Sequence, residues 1–176
     1  MQILSYIINS LGLTSFILAS LIKGKKMKQI LFLVFMGNLL VAISYIVNGN
    51  GINGAISSFV AAAQSIISYI FDSKNKPLPK WLVAIYALSF VILNIAIGDI
   101  TILAVFAIVA CLCFVMSINQ KSGSKYRFWT LSNTVAWMSY DIISGAYSGL
   151  ITHITMFFIT LIGIIIHDRK NKVSKE

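Results

Sequence analysis

The sequence predicts an all-α membrane protein of seven transmembrane helices, and three observations carry that reading. Of the 176 residues, 58% are hydrophobic and 11% charged, with a mean hydropathy of +0.87; a soluble domain carries about a quarter charged residues. The apolar residues gather in seven runs, each long enough to cross about 30 Å of hydrocarbon at 1.5 Å per helical residue. All fourteen Lys and Arg residues fall in every second connection between those runs and beyond the last. Together these features exclude a soluble globular domain, a disordered chain and a secreted disulfide scaffold.

The runs read 3–22, 29–47, 51–71, 81–98, 100–118, 126–144 and 147–166. They are continuously apolar rather than alternating, which argues against a barrel. With no water to satisfy the backbone, helix is the default. Lys23, Lys25, Lys26 and Lys28 follow the first run, and Lys74, Lys76 and Lys80 the third. Lys121, Lys125 and Arg127 follow the fifth, and Arg169, Lys170, Lys172 and Lys175 the seventh. The positive-inside rule then gives a multi-pass protein of seven spans, N-terminus outside and C-terminus cytoplasmic. The net charge of +9 therefore reports membrane orientation and not nucleic-acid binding. No cleavable signal peptide is expected, because Met1-Gln2-Ile3 has no basic start. Pro77 and Pro79 mark a linker before the fourth helix.

Sliding the chain on itself by 95 residues pairs Asn38 with Asn133, Ser44 with Ser139, Tyr45 with Tyr140 and Gly54 with Gly149. The shared pattern Asn-x5-Ser-Tyr-x8-Gly lies around one helix–turn–helix in each half. The chain is expected to form a single transmembrane domain: repeat one over 3–72, a linker helix over 80–98, repeat two over 99–168 and a cytoplasmic tail over 169–176. Three helices are an odd number, so the fourth restores the direction of the second copy. The expected architecture is two parallel three-helix bundles about a pseudo-twofold along the membrane normal.

The 3-1-3 layout, the stretch Trp129-Thr130-Leu131-Ser132-Asn133-Thr134-Val135-Ala136-Trp137-Met138-Ser139-Tyr140 and the following Gly145 to Thr152 resemble the YgjV family of bacterial inner-membrane proteins. This resemblance covers nearly the whole chain. A more distant one is to the SWEET sugar transporter superfamily, which includes the PQ-loop proteins. There a Trp-x-x-Tyr pattern on the sixth helix, matched by Trp137 and Tyr140, precedes a sugar-lining Asn on the seventh. Here His153, sixteen residues after Trp137, occupies that place. The resemblance implies a SWEET-like 3-1-3 fold. It does not imply sugar as substrate, since these helices lack hinge prolines and the tryptophan occurs in one half only.

Asn133, Trp137 and Tyr140 share one helical face, and Asn38 and Tyr45 form the matching stripe. Gly149, His153, Met156 and Thr160 line the following helix, with Gly54, Ser58, Ala61 and Ser65 as their counterpart. Two readings stand. The stripes converge on a polar, aromatic-lined cavity for a small hydrophilic solute, or they interlock in a dry interior. In the second, the polar groups bond across helices for about 0.6–2 kcal/mol each. The candidate substrate-binding residues are Asn38, Tyr45, Ser58, Asn133, Trp137, Tyr140 and His153. An ionisable group in the apolar zone marks His153 for solute binding or proton exchange; its alternative is a neutral ring bonded to a neighbouring hydroxyl. Asp141, near the outer end of the sixth helix, is expected to be solvated at the interface. Asp99 is expected in an outer turn, and Asp72, His167 and Asp168 among lysines at inner helix ends.

Cys111 and Cys113 point roughly 200° apart on a helix and read as inert thiols. Gly49-x-Gly51-x-x-Gly54 lacks the strand and acidic residue of a dinucleotide site. No catalytic set, metal-ligand spacing or cofactor motif is present, and no enzymatic activity is expected. The expected partners are the bilayer, a small polar solute and, as an open question, a second copy of the chain. The leading functional expectation is alternating-access transport of that solute. The rival is a non-transporting scaffold, regulator or partner subunit.

Overall fold

The computed structural model describes residues 2–22, 26–48, 52–97, 102–144 and 147–168. Among them are seven helices and no strand: α1 (Gln2–Leu21), α2 (Met27–Asn48), α3 (Ile52–Ser73), α4 (Lys80–Ile97), α5 (Ile102–Ile118), α6 (Gly123–Ser144) and α7 (Tyr147–His167). Each matches one apolar run to within a few residues. The Gly49–Gly51 turn and Asp99 lie outside the described residues.

The helix ends follow from local chemistry. α3 closes with Asn75 in the left-handed region at φ 52°. The Lys76 amide donates to the Phe71 carbonyl at 2.9 Å and the Asn75 amide to the Asp72 carbonyl at 3.0 Å. That is a Schellman closure, with Asn accepting the conformation most side chains avoid. Pro79 then opens α4, its carbonyl accepting from the Leu82 and Val83 amides. α6 begins three residues before its apolar run because Ser122 caps it: its Oγ accepts from the Lys125 amide at 3.4 Å and its carbonyl from the Tyr126 amide at 3.0 Å.

α1, α2 and α7 carry stretches long and apolar enough to cross a membrane: Ile3–Leu21, Met27–Ser44 and Leu150–His167. Those of α4 and α5 are shorter, at Lys80–Leu93 and Val105–Ile118. Large apolar side chains are exposed along one face of several helices, as with Ile85, Leu88, Ile92 and Ile95 on α4 and Ile151, Phe158, Ile162 and Ile165 on α7. Such stripes suit a lipid environment, where no water penalises them.

The main packing partners run in chain order. α2 sits between α1 and α3, α6 sits between α5 and α7, α4 lies mainly on α5, and α7 closes onto α1. The core draws on most of the helices, with Ile30, Leu31 and Val34 of α2 against Phe90 of α4, Val115 and Ile118 of α5, and Tyr126 of α6. Gly37 lets α2 approach α1, since a Cβ there would stand 2.7 Å from the Phe16 ring.

The α1–α7 seam is held by an unexpected clamp. Arg127 has no exposed surface. Its Nη2 and Nε donate to the two carboxylate oxygens of Asp168 at 2.5 and 3.1 Å, and its Nη1 donates to the Ile22 carbonyl at 2.8 Å. The His167 Nε2 lies 2.8 Å from the Leu21 carbonyl. Asp168 and His167 stand at the inner end of α7 as expected, and there they are structural partners of α6 and α1. The last carbonyls of α1 lack intrahelical donors and carry the negative end of the helix dipole, so a cation is the natural cap. Gly163 makes this closeness feasible: a Cβ there would lie 2.5 Å from the Ser20 carbonyl oxygen and 3.1 Å from the Arg127 Cδ. Gly163→Ala is expected to push α7 off α1 and cost about 1–3 kcal/mol by overpacking. Unchanged unfolding in mixed detergent micelles would show that the seam yields freely.

Candidate functional site

Three of the sequence candidates on α6 and α7, Trp137, Tyr140 and His153, meet in one cluster. Asp141 lies three residues before the end of α6, and His153 six residues after the start of α7. The two helices pack side by side. The His153 Nδ1 lies 2.6 Å from the Asp141 Oδ2. The two groups are within hydrogen-bond distance, the ring nitrogen donating where the carboxylate is ionised, since an ionised carboxylate only accepts. The Asp141 side chain is 6% exposed and that of His153 26%. Asp141 is thus a buried partner of His153, which corrects the expectation of a solvated interfacial carboxylate. It also replaces the hydroxyl-bonded alternative for His153.

Aromatic rings adjoin His153. The His153 imidazole stacks on the Trp137 indole at a centroid separation of 5.8 Å and an interplanar angle of 6°. Tyr140 meets Trp137 edge-on at 5.3 Å and 77°. Trp137 and Asp141 are four residues apart and so share a face of α6. Trp137 in turn rests on the apolar core. The site has a buried carboxylate, a ring nitrogen and an aromatic neighbour stacked on it, with the His153 side chain partly exposed.

The chain matches the family model Imp-YgjV, described as a bacterial inner membrane protein, over residues 2–171. The chain belongs to this family. No curated protein and no solved structure matches it. The family places this Imp-YgjV chain in the bacterial inner membrane, and the exposed apolar faces of its helices agree with that setting. In such a setting a buried carboxylate–imidazole pair is costly to retain and points to function.

The other candidates serve different contacts. The half-buried Asn133 donates from Nδ2 to the Ala110 carbonyl at 2.7 Å, tying α6 to α5. Asn38 donates from Nδ2 to the Val34 carbonyl of its own helix at 2.9 Å. Ser58 is half-buried on α3, and the Tyr45 side chain lies outside the described residues. Further along the α7 stripe, Thr160 Oγ1 lies 3.4 Å from Ser20 Oγ of α1, both fully buried. On α3, Ser65 donates to the Ala61 carbonyl of its own helix at 2.7 Å.

Sequence reasoning passed over a second buried polar set, Gln64 of α3 with Tyr86 and Ser89 of α4. The Gln64 Nε2 donates to the Ser89 Oγ at 3.1 Å and to the Tyr86 carbonyl at 3.4 Å. Spacing offered a signal, since Gln64 and Ser68 lie four residues apart and Tyr86 and Ser89 three.

Proposed function

We propose that this protein carries a small polar solute across the bacterial inner membrane by alternating access. In this reading all seven helices span the bilayer, with the N-terminus outside and the C-terminus cytoplasmic. The groups α1–α3 and α5–α7 are the two repeats of a SWEET-like 3-1-3 arrangement, joined by α4, and they rock against each other. The observation that carries the proposal is the Asp141–His153 pair beneath Trp137, buried where a purely structural protein would gain more from apolar packing. A carboxylate and an imidazole offer hydrogen bonds to a solute, and histidine changes charge closest to neutral pH.

A second reading, a scaffold or partner subunit, draws support from Asn38 and Asn133, whose amides are spent on helix backbone. Uptake separates the two. Purified protein is first screened by thermal shift against sugars, vitamins and nucleosides, since a ligand of the native state raises its apparent stability. The stabilising solute is then followed into proteoliposomes. Wild-type protein is expected to take it up. His153→Leu and Asp141→Asn are expected to insert normally and take up none. Uptake at the wild-type rate in both variants defeats the transport reading. Both termini reported in one compartment would defeat the seven-span topology.

A further inference from the structure

We infer that the corner where α2, α3 and α4 meet binds an anionic phospholipid, with its phosphate among Lys28, Lys74, Lys76 and Lys80 and an acyl chain along the exposed face of α4. The assignment does not depend on the transport reading. A stiff connection presents three of the lysines. The Lys74 amide donates to the Ile70 and Phe71 carbonyls at 3.2 Å each, and the Lys76 amide to the Phe71 carbonyl at 2.9 Å. Pro77 and Pro79 hold two further backbone angles, and Leu78 packs against the core. Lys80 then opens α4. From α2, the Lys28 Nζ donates to the Ser73 carbonyl at 3.3 Å. That bond brings Lys28 beside Lys74 and leaves the rest of its N–H groups for another acceptor.

Charge and shape together name the occupant. All four lysines are exposed. None stands within ion-pair distance of a carboxylate among the described residues, where the contacts of that kind join Arg127 to Asp168 and His153 to Asp141. Cations gathered without a counter-charge at a membrane surface attract anionic headgroups. The apolar face next to them selects a lipid over a soluble anion. Trp81, Ile85, Leu88, Ile92 and Ile95 each expose half or more of their surface. Their spacing of four, three, four and three residues puts them on one side of α4, which packs mainly on α5. The stripe runs about 21 Å at 1.5 Å per residue, enough to accompany an acyl chain through one leaflet of roughly 15 Å. Trp81, directly after Lys80, is the amphipathic ring that membrane interfaces favour. A soluble phosphate would use the lysines alone, and a zwitterionic lipid brings its own cation to compete with them.

Purified full-length protein in dodecyl maltoside micelles is titrated with dioleoyl phosphatidylglycerol, dioleoyl phosphatidylcholine and glycerol phosphate, with apparent melting temperature as the readout. Wild-type protein is expected to rise saturably with phosphatidylglycerol and with neither of the others. Lys74→Gln with Lys80→Gln is expected to need roughly 10–30-fold more phosphatidylglycerol for half of that rise, the loss of two surface charges. Lys121→Gln with Lys125→Gln removes the same charge from the α5–α6 connection and is expected to shift the titration far less. Trp81→Ala keeps every charge and is expected to need several-fold more lipid. All of these positions except Lys121 and Lys125 belong to the proposed site, and all are exposed, so the melting temperature without lipid is expected to stay near wild type. An equal rise with phosphatidylcholine overturns the charge selection. A rise with glycerol phosphate that matches the lipid makes the site one for soluble anions and overturns the assignment. Equal losses in the two double variants would mean that net charge alone draws the lipid, and a titration unmoved by Trp81→Ala overturns the placement on α4.

Discussion

Arg127→Met is expected to lower the stability of the folded protein by about 3–5 kcal/mol, the cost of removing one partner from a buried ion pair. The guanidinium is fully buried and spends its donors on two targets, the Asp168 carboxylate and the Ile22 carbonyl at the end of α1. Methionine preserves much of the stem's packing, so the loss reports the headgroup. What remains is a largely buried carboxylate and an uncapped helix end. Unfolding in mixed detergent micelles measures the loss, and a double-mutant cycle apportions it. Adding Asp168→Leu to Arg127→Met is expected to restore part of the stability, because the orphaned charge goes while the Ile22 carbonyl still lacks its donor at about 1–3 kcal/mol. A loss below about 1 kcal/mol for Arg127→Met would mean that the pair behaves as an exposed one. Arg127→Lys is expected to recover little, since an ammonium cannot span both carboxylate oxygens and the carbonyl in that fork geometry.

The same residue shows where sequence reading reaches its limit. The apolar runs fixed the number and order of the helices, because length and hydropathy are local properties. One boundary was legible as well: Pro77 and Pro79 stand before α4. Arg127 was legible only as an orientation charge. Its partners lie 41 residues away at Asp168 and 105 away at Ile22, and no period connects them. One signal was present. The chain has twelve lysines and two arginines, and arginine is the residue suited to holding a carboxylate in two-pronged fashion.

The candidate site was half legible. Asn133, Trp137, Tyr140 and His153 stood out as polar or aromatic residues on helical stripes. The structure joins three of them and leaves Asn133 bonding to α5. Asp141 was misplaced because its distance from the helix end suggested water. Side-chain direction resolves the error. Helical side chains lean toward the N-terminus of their own helix. On α6 this carries Asp141 away from the 145–146 connection, and on the antiparallel α7 it carries His153 toward it. The two lie three and six residues from that connection, an offset of about 4.5 Å at 1.5 Å per residue, and the opposite leans close it. Neither helix alone shows the pair.

That geometry makes the pair asymmetric, and the asymmetry is the second large effect expected. His153→Leu removes one donor from the Asp141 carboxylate, whose side chain is 6% exposed; the expected loss is about 1–3 kcal/mol, the cost of a buried acceptor that loses a hydrogen bond. Asp141→Asn removes the charge and keeps an amide oxygen able to accept from Nδ1, so its expected loss is about 1 kcal/mol. Asp141→Leu with His153→Leu is expected to be more stable than His153→Leu alone, because apolar side chains of similar size fill the same volume without the cost of burying a carboxylate. Function is expected to rank differently. Both single variants and the double are expected to lose uptake, since each lacks the carboxylate–imidazole pair. A residue kept for stability would show uptake tracking stability across the three proteins. A residue kept for function shows the double variant folded well and inactive. If all three unfold within about 0.5 kcal/mol of wild type, as substitutions at solvated positions do, Asp141 is in water and the buried pair is not what anchors the site.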